Sequence, residues 1–457
     1  MKNSKVDMLS GPLLKNIIIF AIPVMLGGWL QMMFNAADVI VIGQFCGSTS
    51  VGAMGATAAI SALIINLFMG LSVGASVSVA HAVGSGDNEK VYKTVHTAIL
   101  TAVLGGLCIA AIGVPLAKPM LRLMDTPESV IDLSASYMRI ILGGSVFSMV
   151  YNFGAAILRA VGDSKRPLYF IAIGGAANVV LNLFFVLVLK LDVLGVALAT
   201  VISNALSAFL VIYVLIHRTD VCRLVFKELR IYKDAFLSIV RIGFPSGVQA
   251  SLFSIANVII QSSVNSFGEA LMSAHTAGSN INSLTNVAVA GFSTATINFV
   301  GQNIGAKQYK RVRKVIFTCL RLTCVVGTLL GVTVFIFGRP LLGLYITDSE
   351  EAIAWGLIRM KCVGLPYVLF AAYDVFSSAL RGMGKSTLGM IISLCGTCAV
   401  RILWILTVFS IPRFHTPVVL FLSYPLSWSL SFIAMMTATL LCLRKYPNTD
   451  GGEEASA

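Results

Sequence analysis

Charged side chains are scarce in this sequence: only 12% of its 457 residues are Asp, Glu, Lys or Arg, while 57% are hydrophobic. Soluble domains carry about 25% charged residues, so the composition excludes an ordinary soluble protein. Acids are the rarest class, and Asp38 is the only one between Asp7 and Asp87. With a mean hydropathy of +0.88, the composition predicts an integral membrane protein.

Histidine and cysteine are too few and too scattered for the chemistry that depends on them. The five His and nine Cys form no metal-ligand cluster, and Cys395 and Cys398 lack a second pair of ligands. The segment Gly382–Thr387 resembles the end of a phosphate-binding loop, but Ala379 stands where that loop requires a glycine. No nucleophile and base occur in a catalytic pattern. We therefore expect no enzyme, no cofactor and no ATP-driven pump in this chain.

What the sequence has in abundance is long apolar segments. A helical span needs about 20 such residues, and the segments lack the strict alternation of transmembrane β-strands. The sequence predicts an all-α integral membrane protein with twelve transmembrane helices, at 16–43, 51–80, 95–117, 134–158, 167–190, 194–217, 236–266, 270–300, 314–338, 353–380, 385–411 and 416–443.

The net charge of +13 is unevenly distributed between the loops. On one side of the predicted membrane, the termini and loops hold 23 of the 33 Lys and Arg, and the other side holds 8. By the positive-inside rule, both termini are expected in the cytoplasm of a multi-pass cell-membrane protein. This distribution explains the basic charge without a nucleic-acid partner.

An internal repeat with an offset of about 222 residues relates the two halves. Pro23 matches Pro245, Gly47 matches Gly268, and LRAVGDS at 158–164 matches LRGMGKS at 380–386. Six spans per copy give both copies the same orientation, as in parallel-repeat transporters. We therefore expect two pseudo-symmetric six-helix lobes around a central cavity.

The repeat also sets the expected domain boundaries. The predicted N-lobe is 1–217, the cytoplasmic linker is 218–235, the C-lobe is 236–445, and 446–457 is a disordered tail. The basic, amphipathic linker could form a helix that lies on the anionic cytoplasmic leaflet. The alternative is a solvated connection without membrane contact.

Asp38 is the main candidate for a functional residue. A carboxylate inside hydrocarbon is costly unless it is paired, solvated or protonated, so an intramembrane Asp indicates a functional site. The alternative is an interfacial Asp near water, since Gly43 follows only five residues later.

The chain resembles multidrug and toxic compound extrusion (MATE) transporters over essentially its whole length. The resemblance rests on twelve spans in two halves, on Pro23, on Asp38 followed by Val-Ile-Val-Ile-Gly, and on the Arg-Gly-x-Gly-x-Ser type loops. It is nearer to the bacterial DinF-like and MepA-like types than to the NorM type, because the acid that NorM-like members carry on the seventh span is missing near Phe253.

The resemblance implies a cation-coupling site at Asp38, Asn178, Asn182 and Thr200, and a conformational role for Pro23. Asn178 and Asn182 are four residues apart on one helix face. A carboxylate with amide oxygens and a hydroxyl can take a proton or coordinate Na⁺. Because some members carry a second carboxylate where Asn182 stands, its absence favours a proton. The two Asn could instead join helices by hydrogen bonds.

The second half offers Asp374 and Arg401, which replace Asn152 and Val179 of the first copy. They are predicted to form an intramembrane ion pair, and substrate contact by Asp374 is the alternative. Arg359 and Lys361 are expected to snorkel. The candidates for a polar substrate cavity are Gln31, Asn35, Asn66, Gln249, Asn282 and Asp374.

The resemblance implies a monomeric secondary antiporter that exports small organic, cationic and amphiphilic compounds in exchange for H⁺ or Na⁺ by alternating access. The alternative is a flippase for lipid-linked saccharides in a related two-lobe fold. Such a flippase needs several cationic side chains in its spans to hold a diphosphate, and only Arg321 and Arg401 qualify.

Overall fold

A computed structural model describes residues 5–347 and 349–447, and these residues form helices and connecting loops without a strand. The helices of the first half are α1 (Leu13–Phe45), α2 (Ser48–Gly84), α3 (Asn88–Leu123), α4 (Glu128–Gly143), α5 (Ser145–Ala160), α6 (Lys165–Leu183) and α7 (Asp192–Ile216). Those of the second half are α8 (Lys233–Asn265), α9 (Glu269–Gly305), α10 (Tyr309–Ile336), α11 (Gly338–Gly343), α12 (Glu350–Arg359), α13 (Tyr367–Gly382), α14 (Ser386–Ser393), α15 (Val400–Leu406) and α16 (Pro417–Arg444).

Each predicted span corresponds to one helix or to consecutive helical segments. Nine uninterrupted helical stretches of the described chain are long and apolar enough to cross a membrane, and two bent pairs bring the number to 11. The bent pairs are α4 with α5 and α12 with α13. The remaining predicted span, 270–300, lies within the 37 residues of α9, whose many Ser, Thr and Asn lower its hydropathy.

The two bends occupy equivalent places in the repeat. The angle is 42° between α4 and α5 and 41° between α12 and α13. Pro366 stands at the second bend, where it lacks a backbone donor. Gly144 stands at the first, where an added Cβ would lie 2.4 Å from a methyl of Val201. Short π-helical segments follow or join the helices at Phe184–Val188, Met360–Gly364 and Leu394–Ala399.

The described residues pack as two compact units, and α1 and α8 are each divided between them. Unit 1 comprises Ile22–Ser251 with the segment that ends at Asp7, and unit 2 comprises Met8–Ala21 with the chain from Leu252 onward. The division in α1 falls one residue before Pro23, where the proline removes a backbone hydrogen bond. The lobe boundaries at 217 and 236 stay a prediction, and residues 448–457 of the predicted tail lie outside the described part.

Within unit 1, glycines allow α2 and α8 to approach closely. An added Cβ at Gly70 would lie 2.1 Å from the Gly247 nitrogen, and one at Gly74 would lie 2.1 Å from the Ile239 oxygen. Ser78 and Ser238 share a hydrogen bond of 2.9 Å between their hydroxyls. Small side chains at this interface allow the two backbones to come into contact, as is common between membrane helices.

The linker between α7 and α8 is also fixed to unit 1. Its only helical turn is the 3₁₀ turn Phe226–Glu228, so the described residues contain no long amphipathic helix there. The Val225 amide donates to His96 Nε2 over 3.0 Å. Nearby, Asp220 accepts from Lys5 over 2.5 Å and from Arg218 over 2.7 Å. The alternative of a helix lying on the leaflet is therefore wrong for these residues.

Within unit 2, the first part of α1 and the residues before it pack on α9 and α10. Asn303 donates to the Met8 carbonyl over 3.0 Å, and Arg311 donates to the Ser10 carbonyl over 2.8 Å. Phe20 meets Phe299 edge to face with ring centroids 5.8 Å apart. Both rings are fully buried, so this segment is part of the core of unit 2.

Candidate functional site

Three helices of unit 1 bring the four predicted coupling residues together. Asn182 on α6 donates to Asp38 Oδ1 on α1 over 2.5 Å. Thr200 on α7 lies 3.4 Å from Asp38 Oδ2. Asn178 Nδ2 lies 3.4 Å from Thr200 Oγ1 and connects α6 directly with α7. The carboxylate is thus held by polar groups from helices that are far apart in sequence.

Asn182 has an unused hydrogen-bond acceptor in this cluster. Its side chain is fully buried, and its Nδ2 also contacts Asn178 Oδ1 at 3.3 Å. Its own Oδ1 is buried without a hydrogen-bond partner in the described chain. Since a buried acceptor without a donor is costly, this oxygen fits a bound cation or a protonated group. The side chains that could hold a cation here are one carboxylate, two amides and one hydroxyl.

Apolar side chains cover the cluster on one side. Val41 and Ile42 follow Asp38 by about one helical turn and pack with Val186, Val193 and Val196. Ile42, Val193 and Val196 are fully buried. Val186 belongs to the π-helical segment that begins two residues after Asn182. Such π-turns are frequent at functional sites because they change the helix face that a side chain occupies.

Asp192 is a second acid of unit 1 that the sequence argument did not select. It starts α7 eight residues before Thr200 and has a φ of 53°. Its carboxylate accepts from Ser50 over 2.8 Å and from the Val193 amide over 2.7 Å. A positive φ is uncommon for a residue other than glycine. It distinguishes Asp192 from other acids at the ends of spans, and only the structure reveals it.

The cavity candidates are spread over both units. Gln31, Asn35, Asn66 and Gln249 lie in unit 1, where Gln31 donates to Asn35 over 3.2 Å. Asn282 and Asp374 lie in unit 2 and are half-buried. The cavity itself concerns both lobes and stays a prediction.

The predicted ion pair between Asp374 and Arg401 is not formed. Asp374 accepts a hydrogen bond from the Ser293 hydroxyl. Arg401 donates its Nε proton to Ser427 over 2.9 Å and stacks on Tyr424. Adjacent spans were the reason for the pairing, but adjacency does not fix how each helix is rotated about its axis.

The prediction that Arg359 snorkels is also wrong. Its side chain is only 3% exposed and bonds to His275 and Ser279 of α9. Lys361, in the adjoining π-helical segment, is exposed. Helical spacing alone could not distinguish the two, because both lie near the same end of the span.

The sequence matches the MatE family over residues 23–184 and 245–407, once in each copy of the repeat. The chain therefore belongs to the MatE family. It is 29% identical to the probable multidrug resistance protein YpnP of Bacillus subtilis over 86% of this chain and 88% of that protein. It is 26% identical to the probable multidrug resistance protein NorM of Thermotoga maritima over 85% and 84% of the two chains. The protein is thus a multi-pass membrane transporter and not an enzyme.

The fold agrees with this membership. A solved outward-facing MATE family transporter of the MOP superfamily superposes with a TM-score of 0.91 at 21% identity, covering 98% of this chain and 100% of that one. This likeness confirms the two-lobe fold of twelve helices. The multidrug export protein MepA of Staphylococcus aureus is 19% identical over 82% of each chain. The predicted closeness to the DinF-like and MepA-like types stays a prediction.

Proposed function

We propose that the protein is an antiporter that exports small organic amphiphiles from the cytoplasm in exchange for H⁺ or Na⁺. The observation that carries the proposal is the convergence of Asn178, Asn182 and Thr200 on Asp38. The similarity to probable multidrug resistance proteins supports the export of drug-like compounds. We further propose that the protein is a monomer in the cell membrane and that both of its termini lie in the cytoplasm. The proposed mechanism uses the coupling ion and needs no cofactor.

The cluster at Asp38 favours a proton over Na⁺. A hard cation prefers several charged oxygens, and site affinity rises with the number of charged ligands. Here only one of the four side chains carries a charge. A proton needs one carboxylate and a polar surrounding that tolerates both of its forms.

Export then requires that the cation and the cargo favour different states of the transporter. A ligand shifts a conformational equilibrium only by its difference in affinity for the two states. Cation binding at Asp38 would change the packing of α1, which Pro23 weakens by removing one backbone hydrogen bond. Cation release into the cytoplasm would return α1 to its first state.

The test is transport in proteoliposomes under a pH gradient or a Na⁺ gradient, with a panel of cationic and anionic fluorescent amphiphiles. We expect Asp38→Asn to lose gradient-driven accumulation but to retain exchange of labelled for unlabelled dye. The matched control is Asp132→Asn, which removes an acid that is 80% exposed and paired with Lys118. Normal accumulation by Asp38→Asn under both gradients would refute coupling at Asp38.

The flippase alternative gains one observation, because Arg359 joins Arg401 as a buried cation in unit 2. Transfer of a lipid-linked saccharide between leaflets, without export of any dye, would favour that alternative. The same two arginines disfavour a cationic cargo in their vicinity, because they would repel a cation that came near them.

A further inference from the structure

Unit 2 contains two buried arginines for which its described residues provide no carboxylate. Arg359 and Arg401 are each 3% exposed. The ion pairs of the described chain involve other residues. A buried cation without a counter-ion is costly in a membrane protein and marks a functional site.

Arg401 lies in an aromatic environment with most of its donors unused. Its guanidinium carbon is 4.3 Å from the centre of the Tyr424 ring and 5.8 Å from that of Trp428. Only Nε has an acceptor among the described residues, the Ser427 hydroxyl at 2.9 Å. The four N–H groups on its two terminal nitrogens therefore remain available.

Trp428 provides another unused donor at the same place. Its Nε1 is buried and has no hydrogen-bond partner in the part of the chain that the structure describes. Phe370 and Tyr424 pack against its ring with centroids 5.5 and 5.7 Å away. Arg401, Tyr424, Trp428 and Phe370 together are called the arginine–aromatic cluster below. Its unsatisfied groups are all donors.

Arg359 borders this cluster through α9 and α16. Its Nε donates to His275 Nδ1 over 3.3 Å, and its Nη1 is buried without a partner among the described residues. The His275 ring is stacked on Phe421, at a centroid distance of 6.0 Å. Phe421 precedes Tyr424 by one turn of α16. A second guanidinium is thus connected through His275 to Phe421, which lies one helical turn from the cluster on α16.

We propose that the arginine–aromatic cluster binds the oxyanion group of an aromatic or apolar amphiphile, as a carboxylate, phosphate or sulfonate. A guanidinium fork pairs with such a group through two parallel hydrogen bonds, and the indole N–H supplies a third donor. The aromatic rings bind the apolar body. The proposal rests on the proposed export function, and it assigns a negative group to the cargo.

A cationic cargo fits this cluster poorly. The ring faces that would attract a cation are already occupied by Arg401. Asp374, the carboxylate that the sequence offered as a partner for Arg401, accepts a hydrogen bond from Ser293 instead. The same chemistry is offered by a free amphiphile and by the headgroup of an anionic lipid, and the experiment below distinguishes these two sources.

The test is calorimetric titration of the full-length protein in phosphatidylcholine nanodiscs with 2-naphthoate and, separately, 2-naphthylmethylammonium. We expect the wild type to bind the anion more tightly. Arg401→Gln should weaken naphthoate binding about tenfold. Trp428→Phe, which retains the ring and its packing, should weaken it by about threefold through loss of one donor. Arg321→Gln is the matched control, because Arg321 is an exposed arginine of α10 in the same unit.

Equal affinity of Arg401→Gln and the wild type for naphthoate overturns the proposal, as does equal or tighter binding of the cation. Absence of naphthoate binding in both nanodisc compositions also overturns it. If Arg401→Gln does not fold, Trp428→Phe decides alone.

A repeat of the titration in nanodiscs with phosphatidylglycerol distinguishes the two sources of the oxyanion. Weaker naphthoate binding by the wild type identifies a lipid headgroup as competitor, and unchanged binding identifies a free amphiphile. Because binding needs no gradient, Asp38→Asn should bind normally, so a failure of coupling is recognised separately.

Discussion

In the proposed coupling site, Asn182 is the residue on which the choice between H⁺ and Na⁺ would depend most. It contacts Asp38 and Asn178 at once, and its Oδ1 is buried and unused. An amide at this place keeps the site at a single negative charge. A carboxylate would double that charge with almost no change in size. Under the proposed function, the choice between amide and carboxylate at this position would therefore decide which ion is coupled.

We expect Asn182→Asp to shift coupling towards Na⁺. The added carboxylate supplies a second charged oxygen ligand beside Asp38, which a hard cation prefers. The ratio of Na⁺-driven to pH-driven dye accumulation in proteoliposomes should rise by roughly threefold or more. The control is Asn152→Asp, which adds a carboxylate on α5 of the same unit, at a side chain bonded to the Ser148 carbonyl. A similar rise in the control would show that the effect is not specific to the site.

Asp220 predicts how stability depends on pH. Partial burial raises the pKa of this carboxyl, but hydrogen bonds and charge from Arg218 and Lys5 outweigh it, so the pKa lies well below its usual range. Its contribution to the free energy of unfolding is therefore present above pH ~4 and lost as the pH falls further. Asp220→Asn should lower stability at pH 7 by roughly 1 kcal/mol and flatten the acid limb. Thermal unfolding in detergent from pH 7 to pH 3 measures this, with Glu350→Gln at an exposed pair as control.

At the residue scale, the sequence predicted correctly that four side chains lie together, and it predicted wrongly that Asp374 pairs with Arg401. The spacing of Asn178 and Asn182 fixes a common helix face, and the resemblance supplied Asp38 and Thr200, so the four residues were expected together. Nothing comparable related Asp374 to Arg401. A pairing across helices depends on how each helix is rotated about its axis and on the side-chain rotamers. No periodic pattern in a single sequence indicates either of these.

Close packing between helices is the main feature at the level of elements. The approach of α2 and α8 depends on glycines that the sequence displays, but the sequence does not say which helix each glycine faces. The same holds for the π-helical segments, which contain no proline or other local signal that marks them. The bend before α13 does have a local signal, because Pro366 lacks a backbone donor, but the sequence prediction did not use it.

We expect Gly74→Ala to destabilise unit 1. Its Cβ would lie 2.1 Å from the backbone oxygen of Ile239, so the two helices must separate. Overpacking of this kind costs about 1–3 kcal/mol. Gly55→Ala on the same helix is the control, since nothing lies within 4 Å of the added Cβ there. The apparent melting temperature in detergent should fall for Gly74→Ala only; equal values for both variants would contradict the packing argument.

For the whole molecule, the distribution of positive charge predicts orientation. Green fluorescent protein fused after Lys445 should fluoresce, because it folds only in the cytoplasm. Alkaline phosphatase inserted at Lys190 should be active, because that loop is expected outside. The reverse pattern would show that the positive-inside reading is wrong for this chain. The expectation rests on 23 cationic residues on the predicted cytoplasmic side and 8 on the other side, a difference that one substitution does not reverse.

The division of α1 and α8 between the units has a consequence for the origin of this chain. Residues Met8–Ala21 belong to unit 2 although they begin the first copy, and the start of the second copy, up to Ser251, belongs to unit 1. A single copy of the repeat would therefore lack the packing partner of its own leading segment. A half-length ancestor with this packing could complete its core only as a homodimer that exchanged leading segments between subunits. Gene fusion would have made that exchange permanent within one polypeptide.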